Sequence, residues 1–169
     1  MACPYFMPVG KLEGGNWQHP ARLPLGSGWS GHCTAPGHEA ELPSQGILES
    51  FCNLGYASGC AWSPDDRRWD AVRFAVSSPA KMAGVGHAAV NTQARVLRLI
   101  YVCEREHRPI ANGELEFDLS EAAWLRKHSD VRIQKMAECY LDSYLGKKVV
   151  ILKDDPTPND PAWKGAHVG

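Results

Sequence analysis

Four cysteines, Cys3, Cys33, Cys52 and Cys60, fall in the first third of the chain, with 29, 18 and 7 residues between successive members. Four thiolates can hold one tetrahedral zinc ion, or the irons of a [2Fe–2S] or [4Fe–4S] cluster. The spacing bears on that choice. A structural zinc site draws its ligands from paired knuckles, because one tight turn then presents two sulfurs to one small ion, and no C-x(2–4)-C pair occurs here. A cubane is wider, and each of its irons takes a ligand from a different direction. Ligands scattered over separate loops therefore favour [4Fe–4S], with [2Fe–2S] and zinc as the alternatives. Pro4, Tyr5 and Phe6 after Cys3, with Trp29, Tyr56 and Trp62 near the others, supply apolar cover that would shield a cluster from water.

The other two cysteines read differently. Cys103 sits in an apolar run and Cys139 on the apolar side of a helical pattern, so both read as buried small hydrophobes. On a strand, Cys103 and His107 would stand ~13 Å apart, too far for a thiolate–imidazole pair unless the chain turns. His32 and His38 flank Cys33 and could replace a cysteine or donate to a sulfide. His19, His87, His107 and His128 have no evident partner. Walker A, G-x-G-x-x-G, H-E-x-x-H, G-x-S-x-G and C-x-x-C-H patterns are absent.

Residues 1–66 carry the four thiols, and their composition is distinct. They hold ten of the sixteen Gly and seven of the twelve Pro, with Lys11 and Arg22 as the only basic side chains. Such a stretch reads as loop and turn. Seven large aromatics, from Tyr5 to Trp62, argue against a solvated coil. A bound metal centre is a sufficient cause of order, because its ligands contribute folding free energy directly. One short helix is expected between Pro43 and Gly55, with Cys52 in its last turn and Cys60 in the glycine-bounded turn that follows.

The remainder has clearer periods. Trp69–Val76 and Val96–Cys103 read as strands, the second central because it is almost continuously apolar. Asn112-Gly113 is a hairpin signal before the alternating run Glu114–Leu119. A short helix is expected at Ser120–Lys127. A longer one follows from about Asp130 to Leu145, with Gly146 at its end. Residues 77–95 read as loop or irregular helix, Val149–Leu152 as a last strand, and 153–169, with Pro156, Pro158 and Pro161, as an extended tail. The fold class is α+β in a single domain, 1–169. A small, mostly antiparallel sheet and C-terminal helix over 67–152 support the loop-rich, metal-organised segment.

The strings Cys3-Pro4-Tyr5-Phe6 and Cys52-Asn53-Leu54-Gly55-Tyr56-Ala57-Ser58-Gly59-Cys60 resemble segments of small bacterial proteins thought to bind iron–sulfur clusters. The resemblance covers the N-terminal third. It implies a cluster at Cys3, Cys33, Cys52 and Cys60 and nothing about a substrate.

A net charge of −1 gives no general attraction to nucleic acid or anionic lipid. Arg126, Lys127, Arg132 and Lys135 read as a solvated face. No apolar run approaches the ~18 residues of a membrane span, and Met1–Gly10 lacks a secretory pattern. The expected compartment is the cytoplasm, where six cysteines are ligands or buried thiols rather than disulfides. With four protein ligands no iron stays open to substrate, so the expected function is electron transfer or redox sensing with a protein redox partner. The alternatives are a structural-zinc binding module and a cysteine-dependent enzyme.

Overall fold

A computed structural model describes residues 1–13, 17, 23–77 and 96–154. Its order is β1 (Phe6–Leu12), β2 (Gly28–Cys33), α1 (Gln45–Ile47), a π-helical turn (Leu48–Asn53), a 3-10 turn (Ala57–Gly59), β3 (Ala71–Ser77), β4 (Val96–Arg105), β5 (Arg108–Asp118), β6 (Ala123–Arg126) and α2 (Val131–Asp154). The chain is α+β, with a four-stranded antiparallel sheet β3-β4-β5-β6, a two-stranded antiparallel sheet β1-β2 and a C-terminal helix. The expected loop or helix over 77–95 and the tail beyond Asp154 lie outside the described residues, Ser77 excepted.

The larger sheet follows the apolar pattern. β4 has a neighbour on each side, as its nearly unbroken run of apolar residues requires. Leu97, Leu99, Tyr101 and Cys103 alternate onto one face, where Val72, Phe74 and Val76 of β3 lie opposite Cys103, Tyr101 and Leu99. Helix α2 covers that core with Ile133, Met136 and Ala137, each fully buried. Burial of a side chain such as Leu99 or Met136 contributes about 1.5–3 kcal/mol. Asp130 caps the helix, since its carboxylate accepts the Arg132 N–H at 2.9 Å.

Four details differ from the sequence reading, each for a physical reason. The β4–β5 turn is Glu106-His107, both with positive φ, and Asn112-Gly113 lies inside β5 opposite Val102 and Tyr101. The buried Asp70 carboxylate decides this by accepting the Glu106 N–H at 2.6 Å. Gly113 serves packing instead, as a Cβ there would stand 2.8 Å from the Tyr101 ring. Residues 123–126 form strand β6 rather than a helix. Asp118 accepts the Ser120 and Glu121 N–H groups and turns the chain back, so that Trp124 meets Phe117 edge-on at 5.2 Å. Helix α2 runs through Gly146 to Asp154, which replaces the expected strand at 149–152. One exposed glycine costs a helix only about 1 kcal/mol, and no proline intervenes before Pro156.

The fourth difference concerns residues 1–66, which are not all loop. β1 and β2 pair from Phe6↔Cys33 to Leu12↔Gly28, with a bulge between Pro8 and Gly10. Phe6, Leu25 and Trp29 enter the same core as Leu99, Leu115 and Met136, and α2 packs on β1 as well as β3. Backbone pairing and apolar burial therefore order this segment, and its description as metal-organised is not supported. Gly31 makes the close pairing possible, since a Cβ there would stand 2.1 Å from the Met7 carbonyl oxygen.

Candidate metal centre

Each thiol is carried on a different local structure. Ala2 bridges Val72 on the open edge of β3 through two backbone bonds of 2.9 Å, and the Cys3 N–H donates to the Cys52 carbonyl at 3.1 Å. Pro4 and Tyr5 then turn the chain so that the Phe6 N–H reaches the Cys3 carbonyl at 3.1 Å. The Tyr5 and Phe6 N–H groups also hydrogen-bond the Cys3 sulfur. Cys33 closes β2 opposite Phe6, and its sulfur accepts the Ala35 N–H at 3.4 Å.

Cys52 lies in the π-helical turn, a widened turn that proteins often place at functional sites. Asn53, 1% exposed, fixes that turn to β2. Its carbonyl oxygen accepts the Trp29 N–H at 3.0 Å, and its amide donates to the Trp29 and Leu48 carbonyls at 2.9 and 3.1 Å. Gly55 ends the turn where a Cβ would stand 2.2 Å from the Ser50 carbonyl oxygen. Cys60 follows the 3-10 turn, whose first residue donates its N–H to the Asp70 carbonyl at 2.7 Å.

The four sulfurs act on one another. The Cys3 thiol is pushed up to about 12, chiefly by burial, with smaller contributions from Cys33 and Cys60. Burial also raises Cys52, with added repulsion from Cys3, Cys60 and Cys33. Cys33 is raised by burial and by Cys60, although the Ala35 N–H partly offsets both. Burial thus favours the neutral thiol at Cys3, Cys33 and Cys52. Cys103 and Cys139 stand apart from this group. Burial raises them to about 11 and about 12, but the charges that reach them are Arg68 and Asp130 for the first and Lys135, Glu138 and Asp142 for the second. The Glu106-His107 turn also holds His107 on the Tyr56 ring, at 4.3 Å between centroids.

Among the described residues, no three His, Cys, Asp or Glu side chains close round a point that one metal ion could occupy. A tetrahedral zinc needs its sulfurs only ~3.8 Å apart, given a Zn–S bond of ~2.3 Å. In a [4Fe–4S] cluster each cysteine ligates a separate iron, whereas in a [2Fe–2S] cluster two share each iron. No family model, curated protein or solved structure matches the chain. The centre is therefore read from its own chemistry.

Three features of that chemistry lay beyond the sequence reading. Trp29 Nε1 and Ser63 Oγ are buried donors with no partner among the described residues, a state that costs about 1–3 kcal/mol per group. Trp29 shares its apolar cluster with Cys3 and Cys52, and the Ser63 N–H donates to the Cys60 carbonyl at 3.0 Å. Trp69 Nε1 is a third such buried donor. Asn53 was missed because a lone Asn in a turn carries no sequence signal of burial. His32 lies on the side of β2 opposite Cys33 by strand alternation. His38 stacks on Trp62 at 4.8 Å and faces Glu41 at 3.2 Å, so it braces the Cys33 loop against the Cys60 loop.

Proposed function

We propose that this chain is an iron–sulfur protein, with Cys3, Cys33, Cys52 and Cys60 as ligands of a [4Fe–4S] cluster, and that it works in electron transfer or redox sensing. What supports this reading is that Cys3, Cys33 and Cys52 are buried near one another and near Cys60, with the Cys3 N–H joined to the Cys52 carbonyl at 3.1 Å. The N–H groups of Tyr5, Phe6 and Ala35 support it, because such donors lower the energy of a ligating thiolate and set the cluster's potential. When bound, the cluster would supply a one-electron couple. The residues of this chain hold it, exclude water through Phe6, Trp29 and Ala57, and leave no ligand position for substrate.

The partner in this reading is a redox protein, and the compartment is a reducing cytoplasm that keeps the thiols free. No helix among the described residues is long and apolar enough to cross a membrane. The test is the iron, sulfide and zinc content of the full chain purified without oxygen, with its visible absorption and EPR after reduction. Iron and sulfide in equal amounts, with a charge-transfer band, are the expected result. One zinc without sulfide would replace this reading with the zinc module, and colourless metal-free protein would remove both.

A further inference from the structure

Two of the cysteines are backbone neighbours although 48 residues separate them in sequence. The Cys3 N–H donates to the Cys52 carbonyl at 3.1 Å. Backbone groups paired this closely hold their Cα atoms roughly 5–6 Å apart, and a disulfide spans about 4.4–6.8 Å. Both thiols are free and buried, and both enter the same apolar cluster. Among the other thiols Cys3 acts most strongly on Cys52, so the side chains approach as the backbones do. The remaining thiols of this layer bond elsewhere through their backbones, Cys33 to Glu41 and Ala40, and Cys60 to Ala57 and Ser63.

We propose that Cys3 and Cys52 are a reversible oxidation site, which a small-molecule disulfide of the glutathione class converts to one intramolecular disulfide. The exchange runs in two displacements. One cysteine thiolate attacks a sulfur of the reagent, whose S–S bond breaks, and the first glutathione leaves as a thiolate. The second cysteine thiolate then attacks the mixed disulfide and displaces the other glutathione. The two protons given up by Cys3 and Cys52 end on the two glutathione thiols, so the cysteines are oxidised by two electrons and the reagent is reduced by two. Access comes through the N-terminal end. Ala2 is held to the edge of β3 by one isolated bridge at Val72, so an opening that bares Cys3 costs less than opening the sheet. Once closed, the bridge ties the edge of β3 to the π-helical turn and restricts the unfolded chain, which stabilises the fold. The pairing needs no metal and goes beyond the cluster reading.

The experiment uses the full chain, free of metal, equilibrated in glutathione buffers of increasing oxidised fraction. Samples are quenched with acid, free thiols are alkylated, and bridged peptides are located by mass spectrometry. The expected result is the loss of two thiols per chain, a Cys3–Cys52 bridged peptide, label on Cys33, Cys60, Cys103 and Cys139, and a Tm above that of the reduced chain. C33S and C60S should keep the bridge, whereas C3S and C52S should each form none. A bridge between any other pair, retained glutathione on either cysteine, or six free thiols in the most oxidising buffer overturns the assignment. Each of these outcomes leaves the cluster reading standing, because iron and sulfide content is measured separately on reduced protein.

Discussion

The two halves of this chain share one core but are held together by different means. In residues 71–77 and 96–154 the order is periodic. β3, β4 and β5 alternate, α2 repeats at helical spacing, and every strand pairs with a sequential neighbour. In the described part of residues 1–60 it is particular, resting on one buried Asn, one widened turn and two strands twenty-odd residues apart in sequence. Regular packing tolerates moderate change because burial is shared among many contacts. The thiol layer depends on single groups, and under the proposed cluster reading it is the part that would gain most from a ligand.

Metal loading should separate the halves most. A ligand that binds only the folded state adds stability in proportion to the logarithm of its excess over Kd, about 4 kcal/mol at a thousandfold excess. For a chain of this size that is roughly 8–16 °C in Tm. Hydrogen exchange of loaded against iron-free protein should place the gain in Phe6–Leu12, Gly28–Cys33 and Leu48–Asn53, with β4 and β5 little changed. Equal protection of both halves would remove the distinction drawn here.

Alkaline pH gives the next largest effect. A buried thiol raised above its ordinary 9.0 stays protonated in the folded chain while the unfolded chain ionises. Its stability contribution is intact below pH 9 and is lost as pH rises toward the folded value, at up to about 1.4 kcal/mol per unit for each thiol. In iron-free protein the contributors are Cys3, Cys33, Cys52, Cys103 and Cys139. In loaded protein the first three are already metal-bound thiolates, which leaves Cys103 and Cys139. Urea midpoints between pH 9 and 11 should therefore fall less than half as steeply after loading. The same slope in both forms would mean that the three thiols are not ligands.

Asp70 joins the halves, and removing it should cost about 3 kcal/mol. Its side chain is 2% exposed. It accepts the Arg67 guanidinium and the Glu106 N–H, while its backbone carbonyl holds the turn before Cys60. Burial alone would raise its carboxyl. The Glu106 N–H and Arg67 more than offset that, so it titrates below the ordinary carboxylate range. Its contribution is complete above the ordinary value and is lost as pH falls through the lowered one. Asp70→Asn should therefore be less stable than the parent at neutral pH by denaturant midpoint, with the gap closing at acid pH.

How much of this could be read beforehand follows the same division. The central place of β4, the start of α2 near Asp130 and the helical turn ending near Cys52 were legible, because each rests on local period or composition. The pairing of β1 with β2 was not, because Gly28-Trp29-Ser30-Gly31-His32-Cys33 has no strand pattern and is defined by its partner. The continuation of α2 past Gly146 was likewise a balance of helix formers against one glycine. That Cys60 is less buried than Cys3, Cys33 and Cys52 was not legible either, since spacing does not encode burial.

The β4–β5 turn offers the smallest test, and the one in which local and tertiary preference are most directly opposed. Glu106 and His107 adopt φ of 51° and 61°, a left-handed pair that Asn and Gly take readily and that costs other residues roughly 1–2 kcal/mol each. The chain nevertheless turns here rather than at Asn112-Gly113, because Asp70 holds the Glu106 N–H and Tyr56 holds the His107 ring. Glu106→Asn keeps the N–H and the bond to Asp70 while relieving the strain. It should stabilise the protein by about 0.5–1 kcal/mol in denaturant unfolding. In an Asp70→Asn background, where the N–H partner is weakened, the same substitution should be worth more, since the turn then relies on its own preference. Equal effects in the two backgrounds would mean that the turn is set locally and that Asp70 does not decide the register.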